Sequence, residues 1–215
     1  MIKNKVKLCT FYITRHGETV WNTEHRMQGH QDSPLTENGI LQAKQTAKKL
    51  KDIVFDHAFS SDLLRAKRTA EIIAADHDLV VKTSKLIRES KLGPFEGKKL
   101  EYFRKTLRKS LEYRESLPNE DRMTYSVHPG VETYDETAVR MITFLREMAV
   151  AYPAKKVLVV SHAAIIRASL IKLGFATDDE LPHGSIDNAG YAVVESDGVD
   201  FFVREVDGVH KVKIE

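Results

Sequence analysis

The sequence predicts an α/β protein, a sheet of buried strands with helices on its faces. Two observations carry this. β-branched and aromatic runs alternate with stretches of helical periodicity, giving strand, helix, strand, helix, strand from Val6 to Ile87. Two of the strands, Val6–Ile13 and Lys156–Val160, also lead into histidines, in Arg15-His16-Gly17 and Ser161-His162. Open α/β sheets bind ligands at the carboxyl edge of their strands, so the class and the place of the site are predicted together.

In order along the chain, Val6–Ile13 is the first strand. Thr36 can cap a helix whose Ile40, Ala43, Ala47 and Leu50 step by three and four. Asp56–Ser60 is a short strand, and Leu63–His77 a helix with Leu64, Ala70, Ile73 and Ala74 towards the core. Val80–Ile87 is strand-like, and Gly93–Gly97 is turn chemistry. Lys98–Leu117 reads as a charged surface helix or helical pair with a thin stripe of Leu100, Phe103, Leu107 and Leu111. Pro118–Pro129 shows no period and reads as loop. Residues 98–129 hold too few apolar side chains for a core of their own, so they form an insertion. Thr133–Glu136 is a capping box opening an amphipathic helix with Ala138, Met141, Ile142, Leu145, Met148 and Ala149 on one side. After Lys156–Val160, Ala163–Leu173 is helical and stops near Gly174. Tyr191–Glu195 and Val199–Val206 read as a hairpin, and Asp207-Gly208 as one more turn.

At 215 residues, with 42% hydrophobic and 30% charged, the chain suits one domain with a large core and is short for two. A net charge of +2 gives no basis for a nucleic-acid or membrane-surface partner. The single cysteine, Cys9, allows no internal disulfide and is expected as a small buried side chain. Behind the basic start Met1–Lys5 the apolar run is too short for a span, and Arg15 follows instead of a small-residue cleavage site. A cytoplasmic location is the expectation. The oligomeric state is not readable.

Three strand ends carry polar residues: Arg15 and His16, Arg65 just beyond Asp56–Ser60, and His162. Parallel strands sharing one carboxyl edge would bring these together. Helices starting near Leu63 and Ala163 would point free N–H groups at the same edge, ready for an anion. Gly17 would let the backbone turn sharply and approach a ligand. Arginine and histidine beside a glycine suit a phosphate. Arg65 in a first helical turn opposes the helix dipole, so it either meets a compensating anion or is solvated beside Lys67 and Arg68. His25 and His30 read as exposed loop residues, and without HExxH or a cysteine pair no metal site is expected. His57, His77, His128, His183 and His210 read as surface or packing. Glu18 and Glu132 either line a cleft or cap and decorate helices, Trp21 packs in core or loop, and Asn188 falls in a turn before the hairpin.

The run Arg15-His16-Gly17-Glu18-Thr19-Val20-Trp21-Asn22, then Arg26-Met27-Gln28-Gly29, Asp32-Ser33-Pro34-Leu35-Thr36, Gly39 and Gln42-Ala43 resembles the histidine phosphatase superfamily, which includes cofactor-dependent phosphoglycerate mutases and fructose-2,6-bisphosphatases. The resemblance continues through Ser60–Ala66, Thr69-Ala70, Glu89 and Ser161-His162. It implies a three-layer α/β/α sandwich with a mostly parallel central sheet and a helical insertion over the active site. By the same resemblance His16 matches a nucleophile that becomes phosphohistidine, and Arg15, Arg65 and His162 match the cationic phosphate pocket. Glu89 matches the carboxyl that protonates the leaving oxygen and then activates water. Asn22 matches a contact to the phosphoryl group, and Gln28 and Gly29 lie where relatives touch substrate. No cofactor and no metal are implied, since fixed side-chain charge replaces magnesium. His16 has to be neutral to attack, while His162 serves best protonated.

Glu89 is followed by Ser90-Lys91-Leu92-Gly93-Pro94-Phe95-Glu96-Gly97, which resembles the phosphatase branch and not the Arg-His-Tyr-Gly-like stretch of mutases. The expected activity is a phosphomonoesterase acting on a small phosphorylated metabolite. A mutase is the alternative, and an inactive binding module a third; such a module would lose the nucleophile or the acid, and Arg15, His16, Arg65, Glu89 and His162 all match. The basic residues of Lys98–Arg114 either attract a second anion or form a mixed-charge solvated face.

Overall fold

The structure, a computed structural model, describes residues 7–213. Strand β1 (Cys9–Arg15) is followed by a short α1 (Val20–Thr23), α2 (Glu37–Leu50), β2 (His57–Ser61), α3 (Leu64–Ala74) and β3 (Val81–Ser84). The insertion supplies α4 (Leu100–Thr106), α5 (Arg108–Ser116) and α6 (Asn119–Arg122). Then come α7 (Tyr134–Ala151), β4 (Lys156–Ser161), α8 (Ala163–Lys172), β5 (Ile186–Ser196) and β6 (Phe201–Val209). The six strands run in the order β3-β2-β4-β1-β5-β6. β3, β2, β4 and β1 are mutually parallel, and β5 and β6 add an antiparallel hairpin at one edge.

Alternation along β4 shows why the sheet carries two helical layers. Val157 and Val159 enter one core with Met141, Leu145, Ile165 and Leu170 of α7 and α8. Leu158 and Val160 enter the other with Leu50, Ala66, Ala70 and Ile73 of α2 and α3. Burying each such aliphatic chain stabilises by about 1.5–3 kcal/mol, more than an exposed ion pair at about 0–1 kcal/mol. Thr36 Oγ1 caps α2 by accepting from the Gly39 N–H at 2.9 Å. Thr133 and Glu136 form the predicted box, with Glu136 Oε2 accepting from the Thr133 N–H at 2.8 Å. Cys9 is buried, and burial raises its thiol to about 12. No helix of the described residues is long and apolar enough to cross a membrane.

Several elements differ from the sequence reading. Val6 lies outside the described residues, and β1 runs on to Arg15 because Arg15 pairs with Ser161 of β4. Val80–Ile87 is strand only over Val81–Ser84; Ser84 Oγ then accepts from the Leu86 N–H and starts a 3-10 turn. Leu64 does not face the core: it is 68% exposed. The buried face of α3 is phased on Ala66, Ala70, Ile73 and Ala74, which carries Arg65 and Thr69 inward and Leu64 outward. Residues 98–117 form the helical pair, and the expected loop after them contains α6. Asn188 belongs to β5, not to a turn, and Asp207-Gly208 lies within β6. The register shifts between Ile186 and Tyr191, where Ala189 has φ 59° and Gly208 φ 68°, so a bulge stands where a turn was expected.

Candidate active site

His16 leaves the end of β1, its N–H bonded to the Ser161 carbonyl of β4 at 3.0 Å. Its own carbonyl accepts from Asn188 Nδ2 at 3.1 Å and the Ala189 N–H at 3.3 Å, so the bulge in β5 clamps it. The ring's Nδ1 lies 2.7 Å from the Gly17 carbonyl. A carbonyl only accepts, so Nδ1 carries the proton and Nε2 keeps the lone pair. The ring of His162, at the end of β4, is 5.2 Å away at 62°. Neither of its nitrogens has a partner among the described residues. Burial, then Arg65 and Arg15, push His16 well below the usual imidazole range. Burial and Arg65, then His16 and Arg15, do the same to His162. The surroundings therefore favour the neutral ring at both positions, and do not by themselves separate the pair as the sequence reading expected.

Two guanidiniums, Arg15 half-buried and Arg65 buried, stand beside the rings. Arg15 donates Nη1 to the Ile186 carbonyl at 2.5 Å, and its Nε has no partner. Arg65, 1% exposed, donates Nη1 to Gln31 O at 2.6 Å and Asp32 Oδ1 at 2.9 Å, and Nη2 to Gly29 O at 2.8 Å. Three of its five donors are thus spent on positioning, which leaves Nε and one Nη2 proton for a ligand.

The helix N-termini do not serve as predicted. Asp32 accepts from the Leu64 N–H at 2.7 Å and the Arg65 N–H at 3.4 Å, so the anion that compensates Arg65 is internal. At α8, the N–H groups of Ala164 and Ile165 each bond the Glu89 carboxylate at 3.2 Å. These donors orient Glu89, with help from the Ser90 N–H at 2.8 Å. Gly17 is also needed for a different reason. Its φ is not positive, and a Cβ there would lie 2.3 Å from the Gly39 carbonyl; the glycine makes room for α2, not for a ligand.

Asn22, Gln28 and Gly29 join Arg15, His16 and Glu89 in one cleft of about 500 Å³. Asn22 Oδ1 accepts from Thr19 N and Oγ1, both at 3.0 Å, leaving its amide NH₂ uncommitted. Gln28 Oε1 is buried without a partner. Gly29 gives its carbonyl to Arg65, and its φ of 53° with Glu96 packed close explains the glycine. The insertion forms the opposite wall through Leu100, Phe103 and Leu111, with Arg104 and Arg114. Lys99 instead bonds the Glu24 carbonyl at 2.8 Å, and Arg108 faces Glu112 at 3.7 Å.

His30 is not the exposed loop residue expected: it is half-buried, with Nε2 2.9 Å from the Glu89 carbonyl. Arg140 of α7 donates to the carbonyls of Leu86 (2.7 Å), Arg88 (3.2 Å) and Glu89 (3.3 Å) while held by Glu132. Asp32, His30, Arg140 and Asn188 all position site residues, and sequence reasoning gave them no role. Only Asp32 lay within a recognised stretch; the others act through backbone carbonyls distant in sequence. Glu132 lines the cleft, whereas Glu18 accepts from Thr36 Oγ1 at 2.7 Å. His183 also lines the cleft, while His57 packs against Tyr152 and His77 meets Phe55 edge to face. Among the described residues no three His, Cys, Asp or Glu gather as a metal site.

A family model described as histidine phosphatase superfamily (branch 1) matches residues 11–207. The chain is 35% identical over 183 residues, 85% of its length and 86% of the relative's, to a Bacillus subtilis protein named as the uncharacterized phosphatase PhoE. The crystal structure of phosphoglycerate mutase from Bacillus anthracis superposes with a TM-score of 0.81 at 29% identity, covering 95% of this chain and 94% of that one. A mycobacterial glucosyl-3-phosphoglycerate phosphatase follows the fold with a TM-score of 0.74 at 26% identity, over 90% and 96%. These neighbours span hydrolysis and phosphoryl transfer on one scaffold. The chain belongs to branch 1 of the histidine phosphatase superfamily, as an enzyme of the phosphatase or mutase type.

Proposed function

We propose that this protein is a metal-independent phosphomonoesterase working through a phosphohistidine on His16, on small metabolites of the sugar-phosphate or phosphoglycerate type. The observation that carries it is the His16 ring: Nδ1–H bound to Gly17 O leaves Nε2 with the lone pair, in a ring 5.2 Å from that of His162 and held neutral by burial and the charges of Arg65 and Arg15. In this reading Nε2 attacks phosphorus, the ester P–O bond breaks, and Glu89 gives its proton to the leaving alcohol. Water then attacks the phosphohistidine, Glu89 takes the water's proton, and inorganic phosphate leaves. Arg15 Nε and the free edge of Arg65 hold the equatorial oxygens, which supplies the positive charge a magnesium ion would otherwise bring. A phosphate dianion beside His162 offsets the two guanidiniums that disfavour its charge, so substrate itself makes that ring a donor. Asn22 adds an amide donor to the same group.

Hydrolysis is favoured over mutase chemistry by the Ser90–Gly97 sequence after Glu89 and by the likeness to PhoE. The cytoplasm, where such metabolites are dissolved, is the proposed location. Phosphate release in EDTA from a panel of phosphomonoesters tests the proposal, alongside interconversion of 3- and 2-phosphoglycerate with added 2,3-bisphosphoglycerate. Release from one ester far ahead of the rest is expected. Interconversion without release would make the enzyme a mutase.

A further inference from the structure

The main-chain carbonyl of Glu89 has two side-chain donors from distant parts of the chain. His30 Nε2 lies 2.9 Å from it, and Arg140 Nη2 reaches it at 3.3 Å. A carbonyl only accepts, so Nε2 of His30 carries a proton, and the contact holds in the neutral and in the charged ring. Arg140 is shared: its Nη1 donates to the Leu86 and Arg88 carbonyls at 2.7 and 3.2 Å, and Glu132 takes its Nε and Nη2 at 2.6 and 2.8 Å. At 2.9 Å, His30 makes the better bond to Glu89.

His30 is itself tied down. Its N–H donates to Glu96 Oε1 at 3.1 Å, and the same oxygen accepts the Leu92 N–H at 3.0 Å. Next to it in the chain, the Gly29 carbonyl accepts from Arg65 Nη2 at 2.8 Å. One residue thus anchors the Arg65 guanidinium and its neighbour the backbone of Glu89.

The Glu89 carbonyl and the Ser90 N–H belong to one trans peptide unit, so they point in opposite directions across a rigid plane. That N–H donates to Oε1 of the Glu89 side chain at 2.8 Å. It is the shortest of the three N–H bonds on this carboxylate, those from Ala164 and Ile165 being 3.2 Å. Turning the carbonyl away from His30 therefore turns the N–H away from the carboxylate.

We propose that His30 is a positioning residue for the acid: its ring sets the plane of the Glu89–Ser90 peptide, and through the Ser90 N–H the direction of the Glu89 carboxyl. Misplacing that carboxyl weakens proton transfer to the leaving oxygen, so the loss falls on esters whose leaving group needs the proton. The proposal rests on the phosphomonoesterase reading for the role of Glu89 as acid.

The test compares His30→Ala, His30→Asn and His30→Gln. A glutamine amide nitrogen reaches about as far from the backbone as imidazole Nε2, whereas asparagine stops one methylene short. With glycerol 3-phosphate, kcat/KM of the alanine and asparagine variants should fall about tenfold more than with 4-nitrophenyl phosphate. The glutamine variant should stay within about threefold of the unaltered enzyme on both esters. Equal losses on the two esters overturn the proposal, as does a glutamine variant no better than alanine. Should His30→Ala not fold, asparagine against glutamine decides.

A second readout needs no turnover. In ¹H–¹⁵N NMR the Ser90 amide proton should move upfield in the alanine and asparagine variants and return in the glutamine variant. A Ser90 resonance that none of the three moves overturns the proposal. Failure of the underlying reading is seen separately, as no phosphate release from 4-nitrophenyl phosphate by the unaltered enzyme; the Ser90 resonance then decides alone whether His30 sets the peptide plane.

Discussion

At the His16 end of the cleft, the side chains of Arg15, His16, Arg65 and Glu89 are fixed chiefly by backbone groups: Ile186 O, Gly17 O, Gly29 O and the α8 N–H groups. At the other end, Arg114, Arg122 and Arg167 leave α5, α6 and α8 and converge on Asp178. Backbone anchors hold Arg15, His16, Arg65 and Glu89, so one substitution there should cost chemistry first. Side-chain anchors make the far end depend on a single buried carboxylate, so one substitution there costs stability first.

That contrast can be broken by mutation. His16→Ala should lower turnover by roughly 10⁴-fold or more, since it removes the proposed nucleophile, the ring whose lone pair Gly17 O sets on Nε2. Near-normal activity in steady-state assays would remove the mechanism. Asp178→Asn should cost about 3–5 kcal/mol in denaturant unfolding, because it strands buried guanidiniums. A loss under about 1 kcal/mol would mean the far end does not hang on this carboxylate. Arg65→Lys keeps a charge but cannot bond Gly29, Gln31 and Asp32 together, and kcat/KM should fall about 10²-fold. Glu89→Gln should slow alkyl phosphates about 10²-fold more than aryl phosphates, whose leaving groups need no proton. Equal losses on both would contradict the general-acid role.

The smallest effect concerns pH. His16 and His162 stay neutral in the fold where unfolded imidazoles, near about pH 6.5, take up protons. The unfolded chain then binds more protons, so this contribution to stability is complete above about pH 6.5 and falls below it. Each ring contributes a slope of up to about 1.4 kcal/mol per pH unit, until its folded-state pKa is reached. His183, lowered to about 4 by burial, adds to the same slope, so His162→Gln should reduce by roughly a third the slope of unfolding free energy measured between about pH 6.5 and 5, and an unchanged slope would mean His162 is charged in the fold.

The same contrast explains what the sequence disclosed. β4 reads as a strand because Val157–Val160 is apolar on both faces, and His162 is found because it ends that run. Arg15, His16 and Arg65 were legible for the same reason, each standing at or just beyond an element's end, whereas Glu89 came only with the family resemblance. Arg167 was not, since its partner Asp178 lies in a loop and only packing brings Arg114 to both. The N-terminus of α3 misled because Asp32, 32 positions before Leu64, fills it first. Leu64 misled because one residue of helical phase, set by tertiary packing, decides which of Leu64 and Arg65 is buried.

Trapping the covalent intermediate tests the account most directly. The enzyme would be quenched during turnover of a phosphomonoester in EDTA and examined by peptide mass spectrometry and ³¹P NMR. An acid-labile phosphoryl group on Nε2 of His16 is predicted, because Nδ1 is tied to Gly17 O. Phosphate released with no phosphoenzyme, or a phosphoryl group on Nδ1 or on another residue, would contradict it.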